Sequence, residues 1–142
     1  MIAISMCLLG INCNYAGKNN KNEKAVDLFR AGEALAVCPE QLAGFTTPRV
    51  PAEIIGDRVV NQEGQDVTRQ FQKGVDEAIK LVQLAGCTKA LLKARSPSCG
   101  CGKIYDGSFS HTVTDGDGRF AKRLKKLGIA VETEESWSDL SE

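Results

Sequence analysis

The chain carries one histidine, one tryptophan and no net charge. Eighteen basic and eighteen acidic side chains cancel, so bulk charge gives no pull toward nucleic acid or a lipid surface. Aromatic residues are 6% of the chain and lie scattered, without the stacked ring faces on which single-stranded nucleic acid binds. No apolar run approaches the roughly 20 residues that a membrane-spanning helix needs. The opening MIAISMCLLG lacks a basic leader and runs at once into core-like residues. It reads as a first strand, not a signal peptide, and the expected compartment is the cytoplasm. Low-complexity tracts, internal repeats and linkers are absent, so residues 1–142 are expected to form a single domain with a real core. The CxxC pair of local zinc motifs is missing too, and one imidazole cannot help close a four-ligand zinc site built mainly from nitrogen. His111, in SFSHTV, is of a kind more often found as a surface or hydrogen-bonded residue than as a ligand.

Cysteine, by contrast, is abundant: six in 142 residues. In a reducing compartment such a count points to metal, catalysis or burial, not to a disulfide framework. Any one buried thiol packs like a small hydrophobe, and Cys87, between a helix and a strand in LAGCTKALL, is expected to be only that. Three others share a different setting. IAISMC, ALAVC and LLKARSPSC each run from a small or apolar stretch into a cysteine followed by turn residues or proline.

The remaining pattern places these three in a fold. Ile2–Met6 reads as a strand, followed by the loop GINCNYAGKNNKN. Asn22 is a helix cap before Ala25, Leu28 and Phe29, and Gly32 suits the helix end. Ala34–Val37 is a second strand. Pro48 and Pro51 make 41–53 stiff and extended, and 54–61 reads as a hairpin around Gly56 and Asp57. The longest helix starts at Asp66 or Thr68 and runs to about Ala85, with Phe71, Val75, Ala78, Ile79, Val82 and Leu84 as its apolar face. Lys89–Lys93 is a third central strand. Asp117 or Gly118 opens a basic helix stopped at Gly128, whose charge reads as a solvated face. Ile129–Glu132 is a last strand, and SWSDLSE a short helix or tail. Alternating strands and helices predict an α/β fold, a three-layer sandwich around a mainly parallel, Rossmann-like sheet. In such sheets ligands bind beyond the carboxyl ends of strands. Cys7, Cys38 and Cys99 all follow strands and are therefore expected on one edge.

Three thiolates on one edge suit an iron–sulfur cluster, which normally takes four. The fourth iron is then free to act as a Lewis acid, and a soft iron favours sulfur donors. Glu40, two residues beyond Cys38, and Ser96 and Ser98, flanking Pro97, fall within reach of that corner. A carboxylate there can shuttle a proton and a hydroxyl can orient water or substrate. Serines beside a proline also cap turns, and a glutamate after Cys-Pro also suits the start of a helix.

CLLGINCNYAG, AVCPEQLAGFTTPRVPAEI, GQDVT, LLKARSPSCG and IYDGSF, in that order, resemble a bacterial domain-of-unknown-function family that includes the thiouracil desulfidases. The resemblance spans residues 2 to 131. It implies a 4Fe–4S cluster held by Cys7, Cys38 and Cys99 with one open iron, which takes the sulfur of a thiolated nucleobase while water replaces sulfur at the ring carbon. Uracil and hydrosulfide are the products, with no net redox change. It implies acid–base roles for Glu40 and Ser96, and a substrate site beside Ser98, Gly100, Tyr105 and Asp106. The partner is then a small thiolated heterocycle, with no nucleic acid or membrane, and the protein a monomer or small homo-oligomer. Such a cluster is oxygen-labile, and protein handled in air is expected to lose it. The first loop departs from the usual C-R-Y-D-G, reading Cys13-Asn14-Tyr15-Ala16-Gly17, which bears on the substrate accepted. Cys13 and Cys101 are further thiols near the site, and either could close the open iron. Two other functions therefore stay open: a non-catalytic metal or iron–sulfur module, and a cluster-free small-molecule binding domain.

Overall fold

The computed structural model describes residues 1–137. Four parallel strands, β1 (Ile2–Ser5), β2 (Ala34–Val37), β5 (Lys89–Leu92) and β8 (Ala130–Thr133), form the central sheet in the order β2-β1-β5-β8. Between them run α1 (Glu23–Arg30), α2 (Pro39–Leu42), α3 (Thr68–Ala85) and α4 (Arg119–Lys126). Two antiparallel hairpins complete the fold: β3 (Ala52–Ile55) with β4 (Arg58–Asn61), and β6 (Lys103–Tyr105) with β7 (Val113–Asp115).

Alternation along the strands sorts the core into two faces. Ala3, Val37, Ala90 and Leu92 pack against Val75, Ala78, Ile79 and Val82 of α3 and Phe120, Ala121 and Leu124 of α4. Ile2, Ile4 and Leu91 point the other way, onto Ala25 of α1 and Leu8. Helices thus cover both faces of a parallel sheet, the expected three-layer α/β sandwich.

Local chemistry sets the ends of these elements. The Asn22 side chain accepts the Ala25 amide at 3.2 Å, satisfying one of the free amides of α1. Gly86 ends α3 in the left-handed region, at φ 68°, where a side chain would be strained. Arg123, Lys125 and Lys126 crowd the last turn of α4, where positive charge suits the carbonyl end of the helix dipole.

Differences from the sequence expectations are confined to short or exposed pieces. β1 stops at Ser5 and gives way to a 3-10 turn, Met6–Leu9. β8 begins one residue later than expected and runs to Thr133. Leu84 is 85% exposed and stands off the apolar face of α3, which continues from Val82 to the partly buried Ala85. The β6–β7 hairpin was not anticipated, because β7 is exposed throughout and carries no alternation to read. The helix or tail expected in SWSDLSE falls, from residue 138 on, outside the described residues. Among the described residues no helix is long and apolar enough to cross a membrane.

Candidate active site

Three turns at the carboxyl edge of the sheet carry the site. Cys7 sits in the 3-10 turn after β1, and its carbonyl accepts the amides of Gly10 (3.2 Å) and Asn20 (3.0 Å). Those bonds fold the polar loop after Gly10 back over the strand end. Cys38 follows β2 as the N-cap of α2, with Pro39 at the first helical position, where a missing amide costs nothing. The turn is pressed against α3 at Gly74, where a Cβ would lie 2.1 Å from the Pro39 carbonyl oxygen. Only glycine permits that approach.

Cys99 follows β5 in the loop Ser96–Gly100. The Ser96 hydroxyl oxygen accepts the amides of both Ser98 and Cys99 at 3.1 Å, and the Ser96 carbonyl accepts Gly100 N–H at 2.9 Å. From the other side, Gly118, Arg119 and Phe120 at the start of α4 donate to the carbonyls of Gly100 (2.7 Å), Pro97 (2.9 Å) and Ser98 (2.8 Å). A helix N-terminus therefore spends its free amides clamping the loop.

The three turns enclose a cavity of about 720 Å³. Cys7, Cys38 and Cys99 all line it, as do Cys13, Glu40, Ser96, Ser98 and Tyr105. Gly100 and Asp106 do not. Gly100 lies beneath the loop, where a Cβ would meet the Ser96 carbonyl oxygen at 2.8 Å. The Asp106 carboxylate turns to the amide and hydroxyl of Ser108, at 2.9 and 2.5 Å. Cys87 is buried among apolar side chains of the α3–α4 face, as its sequence setting suggested. Cys101 is outside the cavity, its sulfur 3.6 Å from the Val131 carbonyl. Cys13 is inside, with its thiol against that of Cys38.

The thiols respond to one another. Burial pushes Cys99 up to about 12, opposed by the hydroxyls of Ser5 and Ser98, with the Cys38 and Cys7 sulfurs adding repulsion. Burial also raises Cys7, opposed by the Asn20 side chain. Cys38 is lowered, chiefly because Cys13 donates its S–H to it, and Cys13 is correspondingly raised. Several buried sulfurs that resist ionising together are what a bound cation would relieve, since ligation needs thiolates. Among the described residues no group of three or more His, Cys, Asp and Glu could hold a metal ion. The strand-end thiols line one cavity, and an all-sulfur donor set of that kind fits an iron–sulfur core.

Beside the thiols lies a polar wall. Glu40 Oε1 accepts from Arg49 Nε at 3.2 Å, and Glu40 Oε2 accepts from Ser98 Oγ at 3.0 Å. Arg49, with 6% of its side chain exposed, also donates to the Cys13 carbonyl (2.8 Å) and to Thr47 Oγ1 (3.1 Å). Its position between two prolines signals a rigid segment, but its burial and its partner nine residues away are not visible in the sequence. Lys93, at the end of β5, pairs with Glu134 at 2.7 Å. Glu53, 9% exposed, accepts the amides of Gly107 and Phe109 at 2.9 and 3.1 Å, tying the β6–β7 loop to the β3–β4 hairpin. That loop brings Phe109 and His111 to the cavity with Tyr105. The His111 ring stands edge-on to Tyr105, centroids 5.7 Å apart.

A family model described as 2-thiouracil desulfurase matches residues 2–136. The uncharacterized protein YbbK of Bacillus subtilis (strain 168) is 38% identical over 150 residues, covering 99% of each chain. Among solved structures, the [4Fe-4S]-dependent thiouracil desulfidase TudS superposes with a TM-score of 0.89 at 41% identity, over 94% of this chain and 90% of that one.

Proposed function

Since this chain belongs to the 2-thiouracil desulfurase family, we propose that it is an iron–sulfur-dependent desulfidase that replaces the sulfur of a small thiolated nucleobase with oxygen from water. The observation that carries this is the gathering of Cys7, Cys38 and Cys99, from three strand ends far apart in the chain, around one cavity that also holds Glu40. Cys7, Cys38 and Cys99 would hold a 4Fe–4S cluster, and Cys13, sharing the Cys38 corner, is not needed to complete it. When bound, the cluster supplies a Lewis-acidic iron with an open position for the thione sulfur.

The protein's own groups handle water and protons. Two of the roughly four lone-pair directions of the Glu40 carboxylate are taken by Arg49 and Ser98. The remainder are free to hold a water in the cavity and take its proton as its oxygen attacks the ring carbon. Ser96, on the cavity wall, is the second acid–base group. Tyr105 offers a ring edge or face to a planar heterocycle. The overall change is C=S plus water giving C=O plus hydrosulfide and a proton, which balances without an oxidant or reductant.

The test is anaerobic reconstitution with iron and sulfide, followed by incubation with 2- and 4-thiouracil. Loss of thione absorbance with stoichiometric hydrosulfide is the expected result, abolished in Glu40→Ala while iron is retained. A protein that keeps its cluster but turns over neither thiouracil is a non-catalytic module. One that never holds iron is a cluster-free binding domain.

A further inference from the structure

The β3–β4 hairpin carries a buried carboxylate that neither the cluster nor the acid–base groups use. Of the four residues of β3, the one that is buried is Glu53. Burying a carboxylate is costly unless it is paired and hydrogen-bonded. Among the described residues no lysine, arginine or histidine forms an ion pair with it. Its two oxygens fare differently. Oε1 accepts both the Gly107 amide, at 2.9 Å, and the Phe109 amide, at 3.1 Å. Oε2 has no protein partner among the described residues, yet it is not sealed in, since Arg119 Nη2 is the one sealed side-chain atom there without a bond. Glu53 lines the same cavity as the thiols, with Tyr105, Phe109 and His111. Oε2 is therefore an acceptor open to whatever occupies that cavity.

We infer that Glu53 is a specificity-determining residue: Oε2 accepts a hydrogen bond from the thiolated heterocycle, given by a ring N–H or by a hydroxyl of a sugar attached to the ring. The inference rests on the desulfidase reading for its ligand. A carboxylate accepts and does not donate. This point of the wall therefore favours a donor and turns away a carbonyl or an anion, whose lone pairs would face its own. The acceptor is also held in place. The loop that supplies both amides is pressed onto β3, where a Cβ at Gly107 would lie 2.6 Å from Ile55 Cγ1 and 3.1 Å from the Ile54 carbonyl oxygen. Phe109 and His111 in that loop keep left-handed backbones, at φ 56° and 60°, which side-chain-bearing residues seldom adopt. Anchoring the loop needs an acceptor at Oε1 alone, and a glutamine would supply that without the cost of a buried charge. The carboxylate adds a second acceptor, and only the cavity can use it.

Glu53→Gln tests it with little change of shape. The two amides fix the new side chain with its oxygen on them and its NH2 at the place of Oε2, so that an acceptor becomes a donor. In anaerobically reconstituted enzyme the variant is expected to keep its iron and its denaturation midpoint, and to raise KM about 30-fold at unchanged kcat. Calorimetric binding of the products, uracil and uridine, separates the two sources of the donor. With a ring N–H, uracil and 2-thiouracil lose affinity in the variant, and the 1-methyl or the 3-methyl derivative is bound equally poorly by both proteins. With a sugar hydroxyl, the free bases are bound alike by both, and only uridine and 2-thiouridine lose. Unchanged KM for 2-thiouracil and 2-thiouridine alike overturns the inference. So does a fall in kcat at unchanged KM, or a loss of affinity together with a lower midpoint, which marks a loop anchor alone. Should the variant fail to fold, the wild type decides: blocking the donor, by N-methylation or by replacing a hydroxyl with hydrogen, should weaken binding about 30-fold, and equal binding of all these analogues overturns the inference. If the wild type turns over neither substrate, the desulfidase reading fails on its own. Calorimetry with uracil and uridine then decides the role of Glu53, and a wild type that binds neither overturns it.

Discussion

Cys87 and Cys99 are packed in the same hydrophobic cluster, on the same face of the sheet, at 7% and 5% exposure. One precedes β5 and the other follows it. At the leading edge Cys87 is packed among apolar side chains, and burial raises its thiol, opposed only by the N-terminal charge. At the trailing edge Cys99 feels two other strand-end thiols and the hydroxyls of Ser5 and Ser98. The difference lies in which end of a parallel strand a residue occupies, because at that end the βα turns of neighbouring strands open side by side. Residue type and burial would not have separated the two.

The largest effect should come from breaking that asymmetry. Cys38→Ala and Cys99→Ala are each expected to abolish iron retention in anaerobically reconstituted protein. Cys87→Ala should leave iron content unchanged and cost only about 1 kcal/mol of stability through the small void left. Equal iron loss in all three variants would erase the distinction between the two edges.

Next in size is Arg49, which exists on the trailing edge alone. Arg49→Met leaves the Glu40 carboxylate without its buried partner and frees the Cys13 carbonyl. It should cost about 3 kcal/mol in chemical denaturation and lower kcat, while the cysteines still load iron. A smaller loss follows from the close packing beneath the Cys38 turn. Gly74→Ala drives a methyl into the Pro39 carbonyl and should cost about 2 kcal/mol, with kcat falling because Cys38 and Glu40 ride on the displaced turn. The same substitution at Gly86 meets no atom within 4 Å, but strains a left-handed residue, so it should lower stability without touching kcat.

Far from both edges the effect is least. Burial pushes the Asp117 carboxyl up, but the Gly102 amide and Lys125 outweigh it and hold it below the ordinary carboxylate range. A carboxyl lowered in the folded state stabilises the fold above its unfolded value, and loses that contribution as the pH falls through its folded value. Asp117→Asn should therefore cost less than about 1 kcal/mol at neutral pH and flatten the loss of stability in acid. A loss that persists unchanged at pH 3 would show packing, not charge, at that position.

How much of this the sequence revealed follows from the same physics. β1, β2 and β5 were legible as short apolar runs, and the cysteines at their ends became a site once the topology was assumed parallel. The cap at Asn22, the hairpin turn at Gly56 and the end of α3 were legible because each depends on the chemistry of one residue. Leu84 misled, since it stands only two residues past Val82, which puts it on the opposite side of the helix from Val82 and off the face that Ala85 continues. The β6–β7 hairpin carries no hydrophobic alternation, so its Phe109 and His111 came to the cavity unannounced. Arg49 was hidden because a charged residue is expected outside until its partners are known. The directional bonding of Ser96 depends on two amides within a single turn, which no pattern of side chains encodes.

The most direct test of the central claim is anomalous diffraction at the iron edge from crystals of reconstituted protein grown without oxygen. The account predicts one compact iron peak in the cavity, bonded to the sulfurs of Cys7, Cys38 and Cys99, with one iron free of protein sulfur. Iron bound elsewhere, or any of those three sulfurs turned away from it, would contradict it.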